Sequence, residues 1–502
     1  MEHKRREQMQ IQLDNTSISD YERFLRIKAL PKYRFSGSTA TVPDEYAALL
    51  GMAAEDRTQL AYSPSSFLFD YQRAIAATAI RKQKYAVFAD CGLGKTLIMA
   101  EWERHAIAET GPRGRHLIVS PLMVVDQTIE ECERFYGTSL PIERVVAKDL
   151  NSWLRGGNGL AITNYDAISD DIECDVPLDS LALDESSMLK SHYGKWGTRL
   201  IELGKGVPRK LCMTGTPAPN DRIEYANHAV FLDAFPNTNS FLARFFINRG
   251  QTSERWAMKD HAIESFYVAL SHWSIFLYNP ATYGWKDNCG TVPPIRVHIE
   301  NVAITREQRD IFMAEHGSMF VNEAGGIGDR GKIARLGKGF HNGKRVEANK
   351  TGHIASLVAS WPNESTIVWC KYNQEHADVH AALPGSGSID GDTPLPERKR
   401  IIAEFKAGRI KTLVTKPKIL GFGLNLQIAT RHVFSTLQDS YEDYYQAVKR
   451  SNRYGSTTPL DVHIPVTEFE RPMIETVLAK ADRVAHDTAE QERIFRAVTA
   501  RL

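Results

Sequence analysis

The chain has 502 residues and a formal net charge of +1 at pH 7, because 62 Lys and Arg nearly balance 61 Asp and Glu. Hydrophobic residues make up 42% and charged residues 25%, which is typical of a folded, water-soluble protein and excludes disordered and fibrous classes. The length predicts two or three domains. Since the net charge gives no overall attraction for a polyanion, any nucleic-acid site has to be a local cluster of Lys and Arg.

The cysteines and the apolar runs narrow the protein class further. The six cysteines are far apart and form no C-x-x-C pair, so we expect reduced thiols and no structural metal. No apolar segment follows the N-terminus, and no run of apolar residues is long enough to span a bilayer. We therefore expect a cytoplasmic protein with no membrane partner.

Residues 1–60 show mixed periodicity and are predicted to form an N-terminal accessory segment. Within it, the basic and aromatic stretch 21–35 could contact nucleic acid. A solvated basic helix face is the commoner cause of such spacing, so both interpretations stay open here.

Residues 61–235 alternate short β-rich apolar runs with helical patterns. This alternation predicts a parallel sheet with helices on both faces, and ligands of such sheets bind at the carboxyl ends of the strands. The predicted strands are 85–89, 116–120, 160–163, 181–183 and 210–213.

The loop that follows the first of these strands, residues 89–96, predicts a phosphate-binding loop. Backbone N–H groups around Gly92 and Gly94 can surround a triphosphate. Lys95 can bind the β- and γ-phosphates, while the Thr96 hydroxyl can ligate Mg²⁺ at the start of the next helix. An ordinary strand-to-helix turn is the alternative, since the strict pattern has Gly where this chain has Ala89.

Two carboxylates, Asp184 and Glu185, follow the strand 181–183. Burying adjacent acids without a cation is costly, and Mg²⁺ relieves that cost if Asp184 faces the ion. Glu185 would then polarise the water that attacks the γ-phosphate. Such a pair alone can be a strand cap, but downstream of a phosphate-binding loop in the same sheet we interpret it as catalytic.

Two other segments of this region carry suitable polar groups. The strand 210–213 leads into Thr214, Gly215 and Thr216, which form either a simple turn or a relay that hydrogen-bonds the acidic pair. Gln72 lies upstream of the loop and offers both a donor and an acceptor for adenine.

Beyond residue 235 the pattern changes twice. Aromatic residues at helical spacing predict a helical insertion over 236–290, and renewed alternation predicts a second α/β lobe over 291–485. Its predicted strands begin near Val297 and continue at 367–370, 412–415, 432–435 and 462–465. Residues 486–502 are predicted to form a C-terminal helix. The predicted fold class is α/β, with two parallel-sheet lobes in tandem and the helical insertion between them.

The second lobe contains Gln446, Arg450 and Arg453, whose offsets of four and three predict one helical face. Two guanidiniums and an amide on one stripe can stabilise transition-state charge as arginine fingers do. A solvated basic helix face explains the spacing equally well. Gly423, in the Gly-rich segment 421–426, belongs to a flexible loop that could couple nucleotide to strand contacts.

Taken in order, these segments resemble the motif series of superfamily 2 helicases and translocases, most closely the Swi/Snf-like branch in its compact prokaryotic or phage form. The resemblance covers roughly residues 64–480. It implies two RecA-like lobes with ATP and Mg²⁺ as cofactors. It also implies a role for each matching residue: adenine reading by Gln72, phosphate binding by Lys95 and Thr96, magnesium binding and water activation by Asp184 and Glu185, lobe coupling by Thr214–Thr216, Gly423 and Asn425, and arginine-finger chemistry by Gln446, Arg450 and Arg453.

The resemblance further implies a DNA partner, because members of this branch mostly pump along duplex DNA without separating its strands. We therefore expect an ATP-dependent DNA translocase or helicase-like motor that contacts phosphates without sequence specificity. The alternative is a nucleotide-gated motor or scaffold subunit of a replication, recombination or restriction/defence complex, stimulated by a protein partner.

One departure from the family concerns the residues after the acidic pair. Ser186 and Ser187 stand where the family commonly has Ala and His. The imidazole that often links hydrolysis to movement is therefore missing from this motif.

Overall fold

The computed structural model describes residues 8–30, 33–43, 46, 50–52, 62–189, 195–218, 221–250, 256–286, 292–316, 327–420, 424–435, 437 and 441–499. The chain divides into two compact units. The first consists of residues 1–90, 94–287 and 487–502, and the second of residues 91–93 and 288–486.

The N-terminal segment folds as a small antiparallel sheet with one helix. Its elements are β1 Gln8–Gln12, α1 Ile18–Ala29, β2 Arg34–Ser36 and β3 Thr39–Pro43, with β3 in the centre of the sheet. A separate small core holds it together, with Ile27, Ala40 and Val42 fully buried. Arg244 Nη2 donates to the Leu30 carbonyl at 2.5 Å, which ties this sheet to a later part of the first unit.

The main sheet of the first unit has seven strands, all parallel, in the order β12-β4-β9-β8-β5-β7-β6. The strands are β4 Lys84–Ala89, β5 Arg115–Ser120, β6 Ile142–Arg144, β7 Gly159–Asn164, β8 Ser180–Asp184, β9 Arg209–Thr214 and β12 Ser274–Leu277. The central strands are buried along almost their whole length, as expected for a parallel sheet covered on both faces. All five strands predicted for this region are confirmed.

Helices of the first unit connect these strands. They are α2 Asp70–Lys82, α3 Lys95–Thr110, α4 Leu122–Tyr136, α5 Ala147–Gly156, α6 Lys195–Leu203, α7 Tyr225–Phe231, α8 Thr238–Phe245 and α9 Ile263–Ser271. A short antiparallel pair, β10 Phe246–Asn248 and β11 Trp256–Met258, lies between α8 and α9.

Residues 236–290, predicted to form a helical insertion, contain α8 and α9 but also strands. The strand β12 joins the edge of the main sheet, where it pairs with β4. Aromatic side chains of this segment, among them Phe241, Phe266 and Phe276, belong to the core of the first unit. The aromatic spacing thus reflects packing against the sheet, and the predicted domain boundaries stay a prediction.

The sheet of the second unit has six parallel strands in the order β13-β20-β19-β16-β18-β17. The strands are β13 Ile295–Asn301, β16 Thr366–Trp369, β17 Gly387–Ser388, β18 Thr412–Thr415, β19 Arg431–Phe434 and β20 Leu460–Val466, and a separate hairpin pairs β14 Phe340–His341 with β15 Lys344–Arg345. The fold class of two parallel-sheet lobes is confirmed.

Helices of the second unit are α10 Arg306–His316, α11 Ile327–Gly337, α12 Lys350–Ala359, α13 Asn373–Ala381, α14 Leu395–Lys406, α15 Pro417–Leu420 and α16 Tyr441–Val448. The last helix, α17 Arg471–Thr499, begins well before the predicted residue 486. Its final part belongs to the first unit, where Phe495 is buried against Phe276. Of the helices in the described ranges, none is long and apolar enough to cross a membrane.

Candidate active site

The polar segments of the first unit meet at one edge of its sheet. Strands β4, β9, β8 and β5 are consecutive neighbours and run parallel, so their carboxyl ends share that edge. The predicted phosphate-binding loop follows β4, while Thr214, Asp184 and Ser120 end the other three strands. The strand order therefore brings together groups that are up to 125 residues apart in the chain, from Ala89 to Thr214.

The loop after β4 has the backbone that its glycines predict. Gly92 and Gly94 both have positive φ angles, +90° and +68°, which residues with a Cβ rarely adopt. Lys95 is the first residue of α3, and its ammonium donates to the Ala89 carbonyl at 2.9 Å. The ammonium group of Lys95 is thus folded back over the loop. Thr96 follows it in the first turn, partly exposed.

Gln72 lies beside this loop. Its side chain is buried, and its Oε1 accepts from the Phe69 N–H at 2.9 Å. Its Nε2 points at Gly94, because a Cβ built on that glycine would lie 2.1 Å from it. The structure therefore brings together the residue predicted to read adenine and the loop predicted to bind phosphate.

A buried carboxylate fastens the segment before Gln72 to the helix after the loop. Glu101 of α3 is fully buried and accepts from the N–H and the hydroxyl of Ser65 and from the Arg104 guanidinium. Arg104 also donates to the Ser63 carbonyl at 2.6 Å. These bonds hold in place the residues that precede α2. No local sequence pattern predicts these bonds, because Ser65 and Glu101 are 36 residues apart.

Asp184 and Glu185 lie at the end of β8 and are both buried. Ser120 Oγ donates to Asp184 Oδ2 at 3.0 Å, and Thr214 Oγ1 donates to Glu185 Oε2 at 3.2 Å. The Thr214 bond is the contact with the acidic pair that the relay interpretation predicts. The backbone N–H of Thr216 in turn donates to Thr214 Oγ1 at 3.1 Å.

Electrostatics at this pair favour a cation. Burial, with the neighbouring Glu185 carboxylate, raises the pKa of Asp184 to about 6, although Lys95 and Ser120 act in the opposite direction. A buried carboxylate that resists ionisation is stabilised by a divalent ion. The Asp184 carboxylate and the Thr96 hydroxyl are oxygen ligands of the kind that Mg²⁺ prefers. The donor set therefore fits a magnesium ion.

A buried imidazole on another helix contacts the turn after the acidic pair. His228 of α7 is fully buried, and its Nε2 shares a 3.1 Å hydrogen bond with Ser186 Oγ. The preceding residue, Asn227, donates to the Leu189 carbonyl at 2.6 Å. No sequence pattern predicts a role for these two residues, since a single His in an apolar helix is not distinctive.

In the second unit, the predicted helical stripe is only partly correct. Helix α16 ends at Val448, so Arg450 and Arg453 lie in the turns that follow, and one continuous helical face through Gln446, Arg450 and Arg453 is wrong. In the turns after the helix, the Arg450 carbonyl accepts from the Leu426 N–H at 2.9 Å.

Gln446 and Arg450 are nevertheless brought together. The Arg450 guanidinium is buried and donates to the Gln446 carbonyl at 2.9 Å and to its Oε1 at 2.7 Å. Arg453 is partly exposed, and its backbone N–H donates to Ser456 Oγ. The two arginines therefore differ in environment.

Of the Gly-rich segment, Gly423 lies outside the described residues. Asn425, in the described part, accepts from the Gln427 N–H at 3.1 Å, and Gln427 Nε2 donates to the Tyr454 carbonyl at 2.9 Å. The end of this segment is thus tied to the residues that follow Arg453.

A cavity of about 220 Å³ lies at the carboxyl ends of β16, β18 and β19. Three lysines line it, Lys371, Lys416 and Lys418, together with the Asp443 carboxylate and the Tyr372 and Tyr444 rings. The lysines outnumber the acid, so the lining is locally positive, and the composition requires such a local cluster for any nucleic-acid site.

Comparison with known protein families decides the affiliation. The SNF2-related domain matches residues 74–338, and the Helicase conserved C-terminal domain matches residues 349–455. The chain belongs to the SNF2-related family. Its matched domains make it a nucleotide-binding, helicase-like ATPase.

Individual relatives of this SNF2-related chain are distant. Protein p41 of Acyrthosiphon pisum secondary endosymbiont phage 1 is 23% identical over 431 residues, which cover 78% of this chain and 91% of that protein. ATP-dependent helicase fft1 of Schizosaccharomyces pombe is 24% identical over 165 residues, 31% of this chain and 18% of that protein. Among solved structures, an S. cerevisiae Dbp5 variant bound to RNA and ADP BeF3 aligns with a TM-score of 0.50 and 13% identity, over 85% of this chain and 93% of that chain. That likeness supports the fold alone.

Proposed function

We propose that this SNF2-related ATPase is a DNA translocase, which hydrolyses ATP to ADP and phosphate while it moves on duplex DNA without sequence specificity. The observation that supports it best is the edge of the first sheet, where Lys95, the acidic pair and Thr214 lie together at the ends of neighbouring strands.

Each residue at that edge has a task that its environment suits. Gln72 reads adenine, and the N–H groups around Gly92 and Gly94 hold the phosphates. Lys95 exchanges its carbonyl partner for phosphate oxygens. Glu185, oriented by Thr214, orients and polarises the attacking water.

Magnesium would be held by Asp184 and Thr96 and would neutralise charge on the phosphates. Burial of the Asp184 carboxylate supports this assignment, since the ionised form lacks a full counter-charge without a cation.

The two arginines of the second unit receive different roles. Arg453, partly exposed, is proposed as the guanidinium that stabilises transition-state charge. Arg450, buried and bonded to Gln446, is proposed to shape the turn that carries Arg453. Gly423 is proposed to couple nucleotide to strand contacts.

DNA is proposed to be held through its phosphates. The cavity with Lys371, Lys416 and Lys418 supplies charge in the second unit, and the helix start after Pro121 together with Asn164 supplies polar groups in the first. Contacts of this type carry no sequence information and weaken as salt rises.

Displacement of a third strand from a DNA triplex tests translocation, because a motor on the duplex removes that strand without unwinding the duplex. We expect ATP-dependent displacement by the wild-type protein and none by Glu185→Gln. The matched control is Glu109→Gln, a surface carboxylate paired with Arg209. Release of a forked strand without triplex displacement would instead favour an unwinding helicase.

A protein-stimulated motor or scaffold is the second candidate. One observation favours it: the face of α1 that carries Ile18, Tyr21 and Leu25 is exposed, with 81%, 60% and 49% of the three residues accessible. Exposed apolar patches mark interaction surfaces. ATPase stimulation by a protein of the same replication, recombination or defence complex, with no effect of any DNA, would decide for this role.

A further inference from the structure

Helix α7 forms hydrogen bonds with the turn that follows the acidic pair. Residues Ser186–Leu189 form a single 3-10 turn directly after Glu185. Two consecutive side chains of α7 hold its two ends, because His228 bonds Ser186 at the start and Asn227 bonds the Leu189 carbonyl at the finish. All four residues are buried, so both bonds are shielded from water.

The backbone just before this turn is strained. Glu185 has φ = +52°, the left-handed region that residues with a Cβ disfavour. Such a conformation is costly and persists only where the surroundings impose it. The carboxylate is held by Thr214, while the backbone after it is held by the α7 contacts.

The imidazole acts here as a neutral group. Burial lowers the pKa of His228 to about 4, and the ring stands edge-on to Phe88 at 5.4 Å. A neutral imidazole offers one donor and one acceptor in fixed directions. It can therefore orient the Ser186 hydroxyl without bringing a charge close to the acidic pair.

We propose that His228 and Asn227 are positioning residues for ATP hydrolysis, which hold the Ser186–Leu189 turn so that the Glu185 carboxylate faces the attacking water. The inference rests on the proposed role of Glu185 as the residue that polarises that water.

Four variants test the proposal. His228→Leu keeps the volume and removes the hydrogen bond, Ser186→Ala removes the other partner, and the double variant removes both. His228→Gln places an amide nitrogen the same number of bonds from the backbone as Nε2, so it can restore the bond. For each we would measure kcat and KM for ATP, affinity for a non-hydrolysable ATP analogue, and the melting temperature.

We expect His228→Leu to lower kcat about 10- to 100-fold, since a small misplacement of a catalytic group has an effect of this size. Analogue affinity should stay within about twofold, and His228→Gln should recover most of kcat. The double variant should be no slower than His228→Leu, because each single substitution already removes the same hydrogen bond.

A merely structural role would lower the melting temperature and leave kcat of the folded protein unchanged, and this outcome would overturn the inference. Additive losses in the double variant would overturn it too. The variant Glu185→Gln distinguishes failure of the proposed role of Glu185 from failure of the positioning role of His228. If that variant keeps normal turnover, the proposed function of Glu185 fails. If it is inactive while His228→Leu is normal, only the positioning role fails.

Discussion

The Nε2 atom of Gln72 lies 2.1 Å from the position that a Cβ atom on Gly94 would occupy. A methyl group at position 94 would therefore have to displace the Gln72 amide, which is proposed to read adenine, from the loop that is proposed to bind phosphate. The positive φ of Gly94, +68°, adds a second reason for glycine.

Gly94→Ala should accordingly displace Gln72 or distort the loop. We expect nucleotide affinity to fall at least about tenfold, measured by titration with a fluorescent ATP analogue. Gly111→Ala is the matched control, since Gly111 has a similar φ of +74° but open space around it. Equal affinities of the two variants would contradict the contact.

Asp184→Asn should stabilise the protein and abolish its activity. Burial and Glu185 raise the pKa of Asp184 to about 6, above the unfolded value of 3.8, so ionisation at neutral pH disfavours the folded state. The amide removes this cost, and the free energy of unfolding at pH 7.5 without nucleotide should rise by about 1–3 kcal/mol. The gain should shrink as the pH falls below about 6. Loss of stability in the variant would refute the assigned electrostatics.

Substitutions of the two arginines of the second unit should affect different properties, stability for Arg450 and catalysis for Arg453. Arg450→Ala removes a buried side chain with two hydrogen bonds and should lower the free energy of unfolding by about 2–4 kcal/mol. Arg453→Ala should leave the melting temperature within a few degrees and reduce kcat for ATP at least about 100-fold. Normal turnover in Arg453→Ala would remove the finger assignment.

Glu470 stabilises the second unit through two buried ion pairs, with Lys338 at 2.8 Å and Lys350 at 2.7 Å. Burial alone would raise the pKa of the Glu470 carboxyl, but the two ammonium groups hold it at about 2, below the ordinary value of 4.5. Because the folded pKa is the lower one, this contribution is present above pH 4.5 and is lost as the pH falls towards 2.

Glu470→Gln leaves both lysines without their carboxylate and should cost about 3–5 kcal/mol in a denaturant titration at pH 7. Its loss of stability between pH 4.5 and 2 should be smaller than that of the wild type. The exposed pair of Glu397 and Arg400 serves as the control, and Glu397→Gln should leave the denaturation midpoint almost unchanged. Comparable costs of the two variants would show that burial does not govern these pairs.

Sequence patterns predict the strands of both sheets well, for a physical reason. Parallel strands buried on both faces are short apolar runs between helices, and 85–89 and 412–415 show this clearly. The edge strands β6, β12 and β17 were not predicted, and the apolar run of β12 merges with an aromatic segment that packs against the same core. Helix α16 ends earlier than spacing predicts, and the Arg450 carbonyl beyond its end accepts from the Leu426 N–H.

Some residues of the candidate site could likewise be predicted from sequence patterns, and others could not. Lys95, Asp184 and Thr214 could be predicted because each follows a recognisable strand. Glu101 and His228 could not, since their partners, Ser65 and Ser186, are far away in the chain and only the fold brings them together.

The central claim is that duplex DNA stimulates ATP hydrolysis at the edge of the first sheet. The most direct measurement is a titration of the ATPase rate against duplex, single-stranded and forked DNA and RNA, at two salt concentrations, for the wild type and Lys95→Ala. We predict that duplex DNA raises the wild-type rate most, that higher salt weakens the apparent affinity, and that Lys95→Ala shows no turnover with any of them. An ATPase rate that no nucleic acid changes, or full activity in Lys95→Ala, would contradict the account.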